Sequence, residues 1–127
     1  MKEIIQTAKA PGAVGPYSQG VKISGGALIF CSGQIALDPQ SGKLIGITAA
    51  EQTDQTLKNI QSILNAAGAD MKNVVKTTIF LTNINDFASV NEVYAKYFTM
   101  DMPARATVEV SKLPREAKIE IEIIAVV

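Results

Sequence analysis

Two hydrophobic periods run along the chain, one near 2 and one near 3.6, and the points where they exchange mark the secondary-structure elements. The runs "SQGVKIS" (18–24) and "ALIFCSGQI" (27–35) are short, rich in β-favouring side chains, and joined through Ser24-Gly25-Gly26. Paired glycines supply the positive φ angles of a tight turn, so these runs are expected to pair as an antiparallel hairpin. "LDPQSGKL" (37–44) follows with Asp-Pro and Ser-Gly punctuation, the mark of a turn or loop. From Thr48 the period lengthens to 3.6, with Thr53, Leu57, Ile60, Leu64 and Ala67 on one stripe, which predicts an amphipathic helix. Thr48-Ala-Ala-Glu51 has the form of a capping box, and Gly68 is well placed as the stop signal.

"NVVKTTIFLT" (73–82) is dense in β-branched residues and reads as a strand after that helix, so a right-handed β-α-β crossover between parallel strands is expected. "NDFASVNEVYAKYF" sets Phe87, Val90, Tyr94 and Tyr97 at helical spacing, with Asp86 near the N-terminus to accept free amides. The chain closes with two alternating runs, "RATVEVS" and "KIEIEIIAVV", separated by "KLPREA", and these predict a second hairpin. The sum is an α+β layer with both helices on one face of a mixed sheet. In the last run Ile119, Ile121, Ile123, Ala125 and Val127 share one side, against Glu120, Glu122, Ile124 and Val126 on the other. A sheet with helices on one face and apolar residues on both hides its second face against another subunit, so a homo-oligomer is expected.

Composition sharpens this. A length of 127 residues suits one domain spanning 1–127, and 47% hydrophobic residues are enough for a single core. Twelve basic side chains balance twelve acidic ones, leaving no electrostatic footprint for nucleic acid. The start, "MKEIIQTAKAPG", has no signal-peptide core, and no segment approaches the ~20 apolar residues of a membrane span, so a cytoplasmic location is the expectation. With no histidine and a single cysteine, Cys31, the chain lacks Ser-His-Asp and Cys-His machinery, CxxC pairs and ordinary zinc sites. No GxGxxG or GxxxxGK[ST] motif offers a phosphate cradle.

The remaining chemistry falls on a few residues. Arg105, Thr107 and Glu109 alternate with Ala106, Val108 and Val110 and so project from one face of a strand that Pro103 introduces. Pattern alone favours a solvated or ion-paired arginine there; the competing reading is a guanidinium fork for a ligand carboxylate. Glu120 and Glu122 read first as the outer face of a strand, or else as a partly buried general acid/base. Tyr17 in "GPYSQG" is either a packing residue or a hydroxyl for a small polar ligand. Ser32 and Gly33 end an apolar run where glycine permits close backbone approach, though a plain strand terminus explains them as well. Cys31 reads as inert core, because no neighbouring base would stabilise its thiolate.

The blocks "APGAVGPYSQG", "SGQIALDPQSG", "NIQSILNAAGA", "VVKTTIFL", "DFASVNEVY", "PARATVEV" with "LP" following, and "KIEIEIIAV" occur in order along nearly the whole chain. In these blocks the sequence resembles the RidA (reactive intermediate deaminase, YjgF-like) family. The resemblance implies a chorismate-mutase-like α+β fold and a homotrimer with a central barrel and ligand clefts between neighbouring subunits. It also implies cofactor-independent, metal-free hydrolysis of enamine or imine intermediates, such as 2-aminoacrylate or 2-aminocrotonate, to 2-keto acids and ammonia. Under it Arg105, Glu120 and Tyr17 are catalytic: Arg105 holds the substrate carboxylate and Glu120, on the neighbouring strand, holds the attacking water. Arg105, Ser32, Gly33, Asn91 and Thr107 are the substrate-binding set. Thr107 stands where many members carry cysteine, so a thiol-dependent step at that position is absent here.

Two functions therefore compete. One is the imine/enamine deaminase. The other is a non-catalytic module that binds small carboxylates and regulates metabolism through a protein partner. Related proteins have also been described as ribonucleases, but the neutral charge balance and missing histidine speak against that chemistry.

Overall fold

A computed structural model describes residues 1–127. Its elements run β1 (Lys2–Ile5), β2 (Gly20–Ile23), β3 (Leu28–Gln34), α1 (Ala49–Ala66), β4 (Val74–Leu81), α2 (Phe87–Tyr97), β5 (Ala104–Glu109) and β6 (Ile119–Val126). The expected α+β class, two helices and a mixed sheet, is what forms. No helix is long and apolar enough to cross a membrane.

Strand pairing departs from both predicted hairpins. Gly25 and Gly26 do adopt positive φ, but β2 turns away from β3 and pairs antiparallel with β1, a strand that the sequence pattern did not signal. The four-stranded sheet has the order β3-β6-β4-β5, so β6 does not fold back on β5. It inserts between β3 and β4, antiparallel to each, while β5 lies parallel to β4 at the edge. The β3-α1-β4 crossover therefore joins parallel strands, as expected, but with β6 between them. Hydrogen-bond accounting explains the preference: a strand buried on one face and apolar on much of the other is most stable with both edges paired, and only a central place pairs both.

The helices cover one face. Leu57, Ile60 and Leu64 of α1, Val90 and Tyr94 of α2, Ile79 and Leu81 of β4, and Ile119, Ile121 and Ile123 of β6 form one buried cluster. Burial alternates along β4 and β6, so Thr77, Ile79 and Leu81 point to the helices, whereas Lys76, Thr78 and Phe80 do not. The opposite face carries Leu28, Phe30 and Val108 exposed, Phe30 at 72%, with Phe80 and Ile124 partly exposed.

Local signals hold for α1 and in part for α2. Thr48 and Glu51 form the capping box, with the Glu51 amide donating to Thr48 Oγ1 at 3.1 Å and the Thr48 amide donating to Glu51 Oε1 at 3.0 Å. Gly68 follows the helix at φ 75°, where glycine meets no Cβ penalty. Ala67 lies past the last turn and is exposed, so the buried stripe ends at Leu64. Asp86 makes no side-chain cap at α2; a short 3-10 turn at Ile84–Asp86 precedes the helix and holds Asp86 in a helical backbone conformation, φ −79° and ψ −2°, instead of the extended one typical of an N-cap.

Two substitutions test this core. Ile121→Ala, at a fully buried position, is expected to lower the unfolding free energy by roughly 2–5 kcal/mol, and Thr48→Ala by about 1 kcal/mol, both read from urea denaturation. A loss at Ile121 no larger than that of Ile47→Ala, at an 81% exposed position, would move the core elsewhere.

Candidate active site

Parallel pairing with β4 places Arg105 opposite Thr77, on the helix-covered face at the edge of the sheet. Its side chain runs under α2 rather than out to solvent. The guanidinium carbon lies 5.0 Å from the Tyr94 ring centroid, 5.3 Å from Phe87 and 5.5 Å from Tyr17. Cation–π attraction to three rings offsets part of the desolvation, each contact contributing roughly 0.5–2 kcal/mol. One N–H, from Nη1, donates to Asn91 Oδ1 at 2.7 Å.

No carboxylate accompanies this cation. The molecule's ion pairs are Lys58–Asp54 and Lys72–Asp70, both elsewhere. Burial lowers the Arg105 pKa from its ordinary value, with Tyr94 and Tyr17 pulling it back up. The guanidinium is thus partly buried with one hydrogen-bond partner and no counter-charge, a state that costs desolvation energy. Of the sequence readings for Arg105, the ion-paired strand-end residue does not form: the side chain is partly buried and has no carboxylate partner.

Three segments surround the guanidinium. Phe87, Asn91 and Tyr94 lie at i, i+4 and i+7 of α2 and so share one helix face. Tyr94 is held by a 2.8 Å hydrogen bond between its hydroxyl and Thr77 Oγ1, and desolvation pushes its pKa up to about 12. Tyr17 comes from the loop before β2; its hydroxyl accepts the Val14 amide at 3.2 Å, and its ring centroid lies 5.5 Å from the Arg105 guanidinium. Thr107 sits two residues along β5 from Arg105, and its Oγ1 is buried without a hydrogen-bond partner. The sequence pattern places Phe87 and Tyr94 only on the helical stripe of α2 and gives them no part in the site. The available signal was Asn91, a polar residue interrupting an aromatic helix stripe.

The other predicted residues form a second group. Glu120 is opposite Phe80, which is opposite Val108, so it projects from the sheet face away from Arg105. It also lies two strands from β5, about 9–10 Å at the usual spacing. The expectation that Glu120 stands on the strand next to Arg105 is therefore corrected: β4 intervenes, and pleating sends the two side chains to opposite faces. Glu120 instead meets Gly33, where an added Cβ would come within 2.8 Å of the carboxylate carbon. Ser32 and Gly33 occupy an irregularity in the β3–β6 register between Cys31 and Gln34, both exposed. Cys31 is buried, and burial raises its thiol pKa, in keeping with an inert core residue. No group of three His, Cys, Asp or Glu side chains could hold a metal ion.

Fold and side-chain geometry together define an α+β domain with an arginine that has no counter-charge and is enclosed by three aromatic rings. The sequence profile described as endoribonuclease L-PSP matches residues 7–127, and the chain belongs to that family. A human protein named 2-iminobutanoate/2-iminopropanoate deaminase is 52% identical over 126 residues, covering 99% of this chain and 90% of that one. Reactive Intermediate Deaminase A, chloroplastic, of Arabidopsis thaliana is 52% identical over 124 residues, covering 98% of this chain and 65% of that longer protein. A crystal structure of a conserved Rid-family protein from Yersinia pestis superposes with a TM-score of 0.76 at 48% identity, covering 100% of both chains.

The raised Tyr94 pKa has a testable sign. Folding favours the protonated phenol, so its contribution is fully present below the unfolded value near 10 and is lost as pH rises through about 12. Wild type is expected to lose on the order of 2 kcal/mol more stability than Tyr94→Phe between pH 9 and 12, read from urea midpoints. Parallel losses in the two proteins would show that Tyr94 titrates as a solvated phenol.

Proposed function

We propose that this chain is an enzyme that hydrolyses reactive enamine or imine intermediates, such as 2-aminoacrylate or 2-aminocrotonate, to 2-keto acids and ammonia. The observation that carries the reading is the uncompensated Arg105 guanidinium, a fork for the carboxylate of a 2-imino acid. The deaminase names of relatives about 50% identical over nearly the whole chain supply the reaction class.

The chemistry needs little beyond positioning. Protonation of the enamine carbon yields an iminium ion whose carbon is electrophilic. Arg105 holds the carboxylate and Glu120 accepts a proton from the water that adds to the iminium carbon, giving a neutral carbinolamine; Glu120 returns that proton to the nitrogen, and the C–N bond breaks to release ammonia as the hydroxyl gives up its proton to solvent and the C=O bond forms. Tyr17 and Asn91 shape the anion pocket, and Thr107 offers its unpaired hydroxyl to the ligand. Ser32 and Gly33 leave room beside Glu120. No metal or cofactor takes part in this scheme, and the reaction is assigned to the cytoplasm.

A homotrimer of chorismate-mutase-like subunits, with their sheets lining a central barrel, completes the site. Two features support it. Leu28, Phe30 and Val108 leave the helix-free sheet face apolar and exposed, and Arg105 and Glu120 point from opposite faces of one sheet. A cleft between copies lets the Arg105 pocket of one subunit face the Glu120–Gly33 group of its neighbour.

The test is release of 2-keto acid from enzymatically generated 2-aminoacrylate. Wild type should exceed buffer, while Arg105→Ala and Glu120→Gln should each lose roughly 100-fold or more in kcat/KM. Equal rates for wild type and Arg105→Ala would remove the site assignment. Saturable keto-acid binding by wild type without turnover would replace the enzyme with the non-catalytic carboxylate-binding module. Light scattering should report three times the chain mass, and Phe30→Asp should lower both mass and activity; an active monomer would dismiss the intersubunit cleft.

A further inference from the structure

We propose that the N-terminal segment positions Arg105, with the Lys2 ammonium and the Ser18 side chain as the working groups. This rests on Arg105 as the carboxylate anchor. The segment between α2 and β5 has little structure of its own, and Asp101 within it adopts φ 46°, a left-handed conformation that a non-glycine residue keeps only when its surroundings impose it.

Three consecutive carbonyls of this segment are held from the N-terminal side. Lys2 Nζ donates to the Asp101 carbonyl, Ser18 Oγ donates to the Met102 carbonyl at 2.5 Å, and the Ser18 amide donates to the Pro103 carbonyl at 3.2 Å. Ser18 also bridges to Ala104, the residue before Arg105. The remaining donors of Lys2 reach the Val74 carbonyl at 2.8 Å and the Lys72 carbonyl at 3.3 Å, at the start of the strand that pairs with β5. One ammonium thus ties the entrance of β5 to the entrance of β4.

Ser18 has a second connection. It follows Tyr17, whose ring centroid lies 5.5 Å from the guanidinium, and a Cβ on Gly15 would lie 3.9 Å from Arg105 Nη2. The loop that walls the pocket and the strand that carries its cation are therefore locked in register at Ser18. Displacing either by a fraction of an ångström moves the guanidinium against its three rings.

The experiment compares Lys2→Met, which keeps the apolar stem but loses the donors, with Lys2→Arg and Ser18→Ala in the full chain. Binding of 2-oxobutanoate is measured by calorimetry, and turnover by keto-acid release. Lys2→Met and Ser18→Ala should each raise KM and the 2-oxobutanoate Kd roughly tenfold with kcat within about twofold, and Lys2→Arg should recover most of the loss. In an Arg105→Ala background, Lys2→Met should change neither. A spectroscopic readout does not depend on the reaction: the Arg105 side-chain N–H resonance, displaced by ring currents, should move in Lys2→Met. Unchanged binding and an unmoved resonance in Lys2→Met would overturn the proposal, as would an undiminished Lys2→Met effect without Arg105. A moved resonance in a protein that neither binds nor turns over these ligands would uphold the positioning role and sink the deaminase reading.

Discussion

Pairing of β6 on both of its edges is the constraint on which the rest of the molecule hangs. Residues Ile119 to Val126 exchange hydrogen bonds with β3 on one side and β4 on the other. That place satisfies the backbone of the most apolar stretch in the chain and aims Ile119, Ile121 and Ile123 at the two helices. Everything else is arranged around it: β5 is left at the edge, α1 crosses above β6, and the first two strands pair with each other instead of with the main sheet.

The same constraint divides the functional residues. Pleating puts Arg105 on the covered face and Glu120 on the open one, with β4 between their strands. Each is then completed by different neighbours. Arg105 gains rings from α2 and the Tyr17 loop, and Glu120 gains the side-chain-free surface of Gly33. A partly buried guanidinium left without a counter-charge costs stability in the free protein. Thr107 Oγ1, buried and unpaired beside it, has the same character.

Much of the local structure was legible from one-dimensional pattern. The α1 stripe, its Thr48–Glu51 capping box and Gly68 stop, the β-branched run of β4 and the double-sided alternation of β6 each depend on residues close in sequence, and each formed. Asp86 failed as a cap because the chain had already turned through Ile84–Asp86. The two predicted hairpins failed for a different reason. Short turns such as Ser24-Gly25-Gly26 permit a reversal, but which strands then pair is decided by competition among all edges, and β1 was a better partner for β2.

By itself, the sequence determined the period of each element, the residue types able to carry chemistry and, through family resemblance, the positions at which they stand. Only the tertiary structure decided that Arg105 lacks a counter-ion, that Phe87, Asn91 and Tyr94 wall it, that Glu120 turns to the other face, and that Lys2 reaches across to Asp101. The physical reason is range. Capping and amphipathicity are settled within a few residues, whereas strand order, desolvation and side-chain enclosure depend on segments far apart in the chain meeting in space.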